Sequence, residues 1–131
     1  MSNRSIGNRF EKEFCEYLFN HGYWVHNLAQ NSSGQPADII AVKNRIAYLI
    51  DCKVCSNNEF PLSRIESNQD LAMDLWFNCG NHNAWFALLL ENEVYMLSKR
   101  MIDAIRKRDG LRRVSSKEIK YIGIPIERWL D

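Results

Sequence analysis

Asp38, Asp51 and Lys53 are the residues whose types and spacing could do chemistry in this chain. They bracket two apolar runs, Ile39-Ile40-Ala41-Val42 and Ile46 to Ile50, joined by a Lys43-Asn44-Arg45 turn; the pattern reads as a β-hairpin. Folding that hairpin returns the acid at the head of the first strand to the acid and lysine at the tail of the second. Strand side chains alternate between faces, so Asp51 and Lys53 share one side and Cys52 takes the other. Two carboxylates beside an ammonium suit a hard divalent cation such as Mg²⁺, which prefers oxygen ligands and is usually held by one or two carboxylates and several waters. Such a cation polarises a phosphoryl oxygen and acidifies an attacking water, as phosphodiester hydrolysis requires. Lys53 could stabilise the developing charge or orient the water. Glu11 supplies a third carboxylate if its helix crosses the sheet edge, with Glu13 as its rival, and Gln69 offers a neutral carbonyl oxygen. An Asp-x-Lys at a strand end is ordinarily a solvated terminus. The acid heading the partner strand makes this one a candidate.

The elements that must position these groups follow from periodicity. Ile6, Phe10, Phe14, Cys15, Tyr17 and Leu18 recur at the helical period over Ser5 to His21, and His21-Gly22 supplies a stop. Tyr23 to Leu28 reads as a short strand, and the polar stretch Gln30-Asn31-Ser32-Ser33-Gly34 as the loop into the hairpin. A polar connection over Val54 to Phe60 leads to a second helix from about Ser63 to Cys79. There Ser63-Arg64-Ile65-Glu66 fits a capping box, Ile65, Leu71, Ala72, Leu75, Trp76 and Cys79 form the expected buried stripe, and Gly80 the stop. Ala84 to Leu90 and Val94 to Leu97 read as a strand pair about Glu91-Asn92-Glu93. Ser98 caps a third helix to about Arg108, and Arg112 to Val114 and Lys120 to Ile124 read as short strands.

Composition sets the frame. The 131 residues, 46% hydrophobic and 25% charged, suit a single globular α/β domain over 1–131 with a sizeable core. No window approaches the roughly 20 apolar residues of a membrane span, and Met1-Ser2-Asn3-Arg4 lacks a signal-peptide apolar run, so a cytoplasmic protein with no membrane partner is expected. The four cysteines (15, 52, 55 and 79) read as reduced, mostly buried thiols. Net charge is +1, yet residues 1–97 carry 7 Lys/Arg against 11 Asp/Glu, and residues 98–131 carry 10 against 5. That basic tail suits a polyanion contact or a solvated helix face equally.

The chemistry-bearing residues also carry a resemblance. Asp38-x12-Asp51-Cys52-Lys53 resembles the PD-(D/E)XK nuclease signature, with Ala37 inserted between Pro36 and the aspartate. Gly7-Asn8-Arg9-Phe10-Glu11 is similar to the helix opening of Holliday-junction resolvases, where a glutamate lies four residues after a glycine, and Gly22-Tyr23-Trp24-Val25 matches their continuation. Phe60-Pro61-Leu62-Ser63-Arg64-Ile65 with Asn68-Gln69 is similar to the segment of RecU-type resolvases that brings a glutamine to the metal site; the archaeal Hjc type is the other branch resembled. The likeness spans roughly residues 5 to 100. It implies a restriction-endonuclease-like core, a central mixed β-sheet flanked by helices. It further implies a Mg²⁺-dependent endonuclease, with Mn²⁺ able to substitute, that acts on DNA with four-way junctions as substrate and works as a homodimer. In that reading Glu11, Asp38, Asp51 and Gln69 hold the metal or its waters, Lys53 is catalytic, and Ser32 or Ser33 contacts DNA near the scissile phosphate. Two departures stand out: the second acid is an aspartate rather than the commoner glutamate, and there is no long stalk insertion of the kind RecU-type proteins use on a junction. Another nuclease of the superfamily and an inactive DNA-binding derivative are the alternatives.

Other constellations compete. Cys52-x2-Cys55 and Cys79-x2-His82 have spacings seen in structural zinc sites, but Cys52 faces away from Asp51 and Cys79 lies on the expected apolar stripe, so buried thiols are the better account. Arg4, Arg9, Lys12, Arg64 and the basic cluster at 99–113 are candidate phosphate contacts, with solubilising surface as the plain alternative. His21 and His26 have nothing to orient them. Trp24, Trp76 and Trp85 are expected in the core or an interface.

Overall fold

The computed structural model describes residues 2–28 and 37–130. Helix α1 (Asn3–Asn20) is capped by Ser2, whose hydroxyl accepts from the Ser5 amide, and ends where Gly22 turns into positive φ. Strands β1 (Trp24–Asn27), β2 (Ile39–Lys43) and β3 (Ile46–Val54) follow as an antiparallel meander. The β2–β3 turn places both Asn44 and Arg45 at positive φ, the geometry that matches the twist of the flanking strands. The chain then forms β4 (Glu59–Pro61), α2 (Ser67–Asn78), β5 (Ala84–Leu90), β6 (Glu93–Ser98), α3 (Lys99–Asp109), β7 (Arg113–Ser115), α4 (Ser116–Ile122), β8 (Ile124–Pro125) and α5 (Ile126–Trp129).

Six strands make one mixed sheet in the order β1-β2-β3-β5-β6-β8, with β3 and β5 parallel and the other neighbours antiparallel; β4 and β7 pair separately. Joining two parallel neighbours requires a long crossover, and here that crossover contains α2. Alternation along β3 then divides the core. Ile50, Cys52 and Val54 pack with Phe10, Phe14 and Leu18 of α1 on one face, while Leu49 packs with Met73 of α2 and Ile102 and Ile105 of α3 on the other. Each face is covered, so the central strands are apolar on both sides apart from Asp51 and Lys53.

Several expectations change. Helix α2 begins three residues later than the Ser63 box places it: Leu62–Arg64 is a 3₁₀ turn, and the cap is Glu66 paired reciprocally with Gln69. Its buried line is Ile65, Gln69 and Met73, with Trp76 partly covered, whereas Leu71, Leu75 and Cys79 are exposed. Hydrophobicity alone chose the wrong side of this helix, because its inner face carries a glutamine. Lys120 to Ile124, read as a strand, lies mostly in α4, where Ser115 and Glu118 form a capping box. Trp24 is 60% exposed rather than core, while Trp129 joins a buried-side cluster with Tyr23, Tyr48 and Trp85.

The basic tail is largely engaged within the protein. Lys99 is buried, with its ammonium 3.2 Å from Asp70, 3.1 Å from Asp74 and 2.7 Å from Asp103, and Arg106 reaches Asp70 and Asp103 at 2.7 Å. This network ties α2 to α3. Arg106 above all, with Lys99, holds the Asp70 carboxyl below its ordinary range. A depressed folded-state pKa adds stability that is present above the unfolded value and lost as pH falls through the folded one. Thermal melts should therefore show the protein losing stability below about pH 4. Asp70→Asn should cost roughly 1–3 kcal/mol at pH 7 and flatten the acid limb; an unchanged acid limb would place the pH dependence elsewhere.

Candidate active site

Asp38 stands just before β2 and sends its carboxylate across the hairpin, where Oδ2 accepts the Cys52 amide at 2.7 Å. Two residues along β3 from Leu49, Asp51 is fully buried on the α2 side. The Lys53 ammonium lies 3.1 Å from Asp51 Oδ2 and donates to Gln69 Oε1 at 3.2 Å. Gln69 Nε2 donates to Asp51 Oδ1 at 3.1 Å, and Gln69 Oε1 also accepts the Glu66 amide at 3.2 Å. The capping bond that starts α2 thus fixes which end of the Gln69 amide meets the aspartate. The glutamine came from the sequence; Glu66 as the residue that orients it did not, although its spacing to Gln69 is that of a capping box.

Glu11 approaches from the opposite layer. Half-buried on α1, its carboxyl is pushed up to about 7, first by burial and then by the Asp38 charge, with Lys53 opposing. Asp51 is pushed up to about 8, by burial first and Asp38 second, again against Lys53. Three carboxylates sharing one ammonium leave the site short of positive charge. The contact of Lys53 with Asp51 Oδ2 is close but poorly directed, so that buried oxygen has no well-formed hydrogen bond. An all-oxygen donor set with an orphaned carboxylate oxygen fits a hard divalent cation. Among the described residues no three carboxylate, imidazole or thiol groups stand in a finished metal-holding arrangement, and this applies to the acids as to the cysteines of the zinc alternative. Cys55 is buried, Cys15 and Cys52 are half-buried and Cys79 is exposed, so the thiols are less uniformly covered than expected.

The matching of this chain to known proteins agrees with the geometry. The family model of the archaeal Holliday junction resolvase, Hjc, matches residues 2–131. The chain belongs to the archaeal Holliday junction resolvase family. Members of that family are metal-dependent endonucleases, and this chain is a resolvase-like nuclease. Its fold is similar to the structure of Hjc from Archaeoglobus fulgidus, a Holliday junction resolvase from an archaeal hyperthermophile, with a TM-score of 0.72 and 16% identity, covering 95% of this chain and 100% of that one. No curated protein matches the sequence significantly.

Of the candidate phosphate contacts, Arg4, Lys12 and Arg64 are exposed, and Arg9 is held by Glu13 at 2.8 Å. Glu13 therefore faces solvent with Arg9, which leaves Glu11 as the α1 carboxylate at the site. Ser32 and Ser33 lie outside the described residues. In the 99–113 cluster, Lys99, Arg106 and Arg112 are committed to acids. No helix is long and apolar enough to cross a membrane among the described residues.

Because the Glu11 pKa is raised on folding, the charge penalty is absent below its unfolded pKa and grows as pH rises to about 7. In EDTA, the resolvase should melt at lower temperature at pH 8 than at pH 5. Glu11→Gln should remove part of that decline, on the order of 1 kcal/mol once solvent screening of a half-exposed group is allowed for. Identical pH slopes for parent and variant would show that Glu11 carries no such penalty.

Proposed function

We propose that this single domain cuts branched DNA, the four-way junction above all, using Mg²⁺ held by Asp38, Asp51 and Glu11, while Gln69, expected as a ligand, has its carbonyl oxygen taken by Lys53 and the Glu66 amide and orients Asp51 instead. The observation that carries the assignment is the buried Asp51, flanked by Lys53 and Gln69 and facing further carboxylates at the paired strand end. When bound, the cation would supply Lewis acidity toward the phosphate and an acidified water. The protein's own groups do the rest. Asp38, oriented by the Cys52 amide, and Asp51, oriented by Gln69, present oxygens in fixed directions. Lys53, held between Asp51 and Gln69, keeps a positive charge beside the position where phosphoryl charge develops. Exposed Arg4, Lys12 and Arg64, with Arg9 and the loop serines Ser32 and Ser33, would take the sugar–phosphate backbone.

Incubation of the purified protein with synthetic four-way junctions, flaps and duplexes, in Mg²⁺, Mn²⁺ or EDTA, tests the reading. Paired symmetrical cuts in junctions only, lost in EDTA, are expected; cutting of plain duplex instead would mark a different nuclease. Asp51→Asn should lower cleavage at least 1,000-fold, about 4 kcal/mol of barrier, with junction affinity retained. Cleavage near the parent rate would remove Asp51 from the site.

A junction presents two equivalent scission points, and a two-fold dimer answers that symmetry. Leu71 and Leu75, one helical turn apart on the outer face of α2, are 64% and 63% exposed, and they support this face as the contact with a second copy. Light scattering should find a dimer for the parent and a monomer for Leu71→Asp/Leu75→Asp. A variant that remains dimeric would move the interface elsewhere.

A further inference from the structure

Beside the carboxylate cluster the surface opens into a groove of about 420 Å³. Its floor includes Cys52 and Val54, the residues that alternate with Asp51 and Lys53 along β3, and one wall includes Gly7, one helical turn ahead of Glu11. The groove lies on the α1 face of β3, opposite Asp51 and Lys53, and adjoins the site through α1, where Gly7 precedes Glu11 by about one helical turn. The lining also includes two arginines from distant parts of the chain, Arg64 at the end of the 3₁₀ turn and Arg113 on β7.

Both guanidiniums are exposed and mostly unspent. Arg64 uses one N–H on the Val54 carbonyl, and Arg113 uses one on Glu59 at 3.0 Å, a pair in which Arg113 is 71% exposed. An exposed pair of that kind holds little energy and leaves the remaining donors of each fork for an anion. Glu59 is the one acid in the lining, so the two arginines give the groove an excess of one positive charge. Gly7 completes the argument. It sits inside α1, where glycine disfavours the helix, and a Cβ built on it would meet nothing within 4 Å. Packing within the protein does not require a glycine there. What the missing side chain gives is room over the helix backbone on the side of the groove.

Resting on the nuclease reading, we infer that this groove is a strand-guiding subsite: it takes the DNA sugar–phosphate backbone next to the scissile phosphate, with Arg64 and Arg113 on the phosphate oxygens and the strand passing over Gly7. The ligand class is a nucleic-acid phosphodiester, and the contact is indifferent to sequence.

Fluorescence anisotropy with a labelled four-way junction in EDTA, across a salt series, tests this without cleavage. Each phosphate contact contributes about 0.9 to the slope of log K against log salt for duplex DNA. Arg64→Gln/Arg113→Gln should lower the slope by about 2 and weaken binding at least tenfold at low salt, equally for junctions of different sequence. An unchanged slope, or a loss of cleavage with affinity intact, overturns the subsite. Displacement of DNA by inorganic phosphate at matched ionic strength would mark a small-anion site and overturns it as well. Gly7→Ala gives a second, fold-neutral reading: melting temperature equal to or above the parent's with weaker junction binding is expected, and parental affinity would overturn the path over Gly7. If the parent binds with the expected slope change yet cuts no DNA, the subsite stands and the nuclease reading falls; if it cuts and the slope does not move, the reverse holds.

Discussion

The structure depends on one buried charge. Asp51 sits in the central strand of a sheet covered on both faces, with no exposed surface. A carboxylate there carries a desolvation penalty of several kcal/mol unless paired and hydrogen-bonded. One partner comes from the same strand, Lys53, and the other from α2, Gln69. Neither arrangement is free to vary. The i, i+2 spacing puts the ammonium on the face of the aspartate, and the glutamine reaches it only if α2 starts at Glu66.

Seen this way, α2 is less a packing helix than a bracket for Gln69. Its inner face combines Gln69 with Met73, and the Glu66–Gln69 box makes helix initiation and site orientation one event. The next residue, Asp70, is clamped by Arg106 and Lys99 of α3. A shift of α2 along its axis would break the cap, the Asp51 contact and the ion-pair network together. Such coupled restraints hold a site to the few tenths of an ångström that catalysis needs.

Where the sequence was legible, local pattern and tertiary demand agreed. The hairpin from Ile39 to Lys53 combines apolar alternation with a turn whose residues accept positive φ, and its ends carry the acids. Helix α1 has a full apolar stripe and a glycine stop, so its extent follows from periodicity, whereas the choice of Glu11 over Glu13 rests on the packing of that helix against the sheet. Helix α2 was misread because an amphipathic rule looks for leucines inward, whereas Leu71 and Leu75 point outward and a polar residue is buried. The Ser63 box was chemically valid but lost to Glu66–Gln69, which the buried Asp51 rewards. The basic tail suits a polyanion surface or a solvated face equally by charge count, which cannot see that Lys99 and Arg106 face acids of α2 that lie 25 to 36 residues earlier.

Internal pairing of the tail changes how a polyanion is met. With much of the tail neutralised internally, the groups nearest the site are acids, and residues 1–97, which carry them, are net negative. Long-range attraction alone therefore would not draw a phosphate backbone to Asp51. Two local features would oppose the repulsion: the arginine forks of Arg64 and Arg113, and the positive charge of a divalent cation held by the carboxylates. The second couples binding geometry to chemistry, since the charge that makes close approach tolerable is the one that activates the phosphate. On the proposed reading, the arginines would retain the strand without hydrolysing it, and the carboxylates would support hydrolysis only with the cation bound. A site built from a desolvated aspartate is thus unfavourable by itself and becomes favourable with its metal and substrate, as expected where stability has been traded for reactivity.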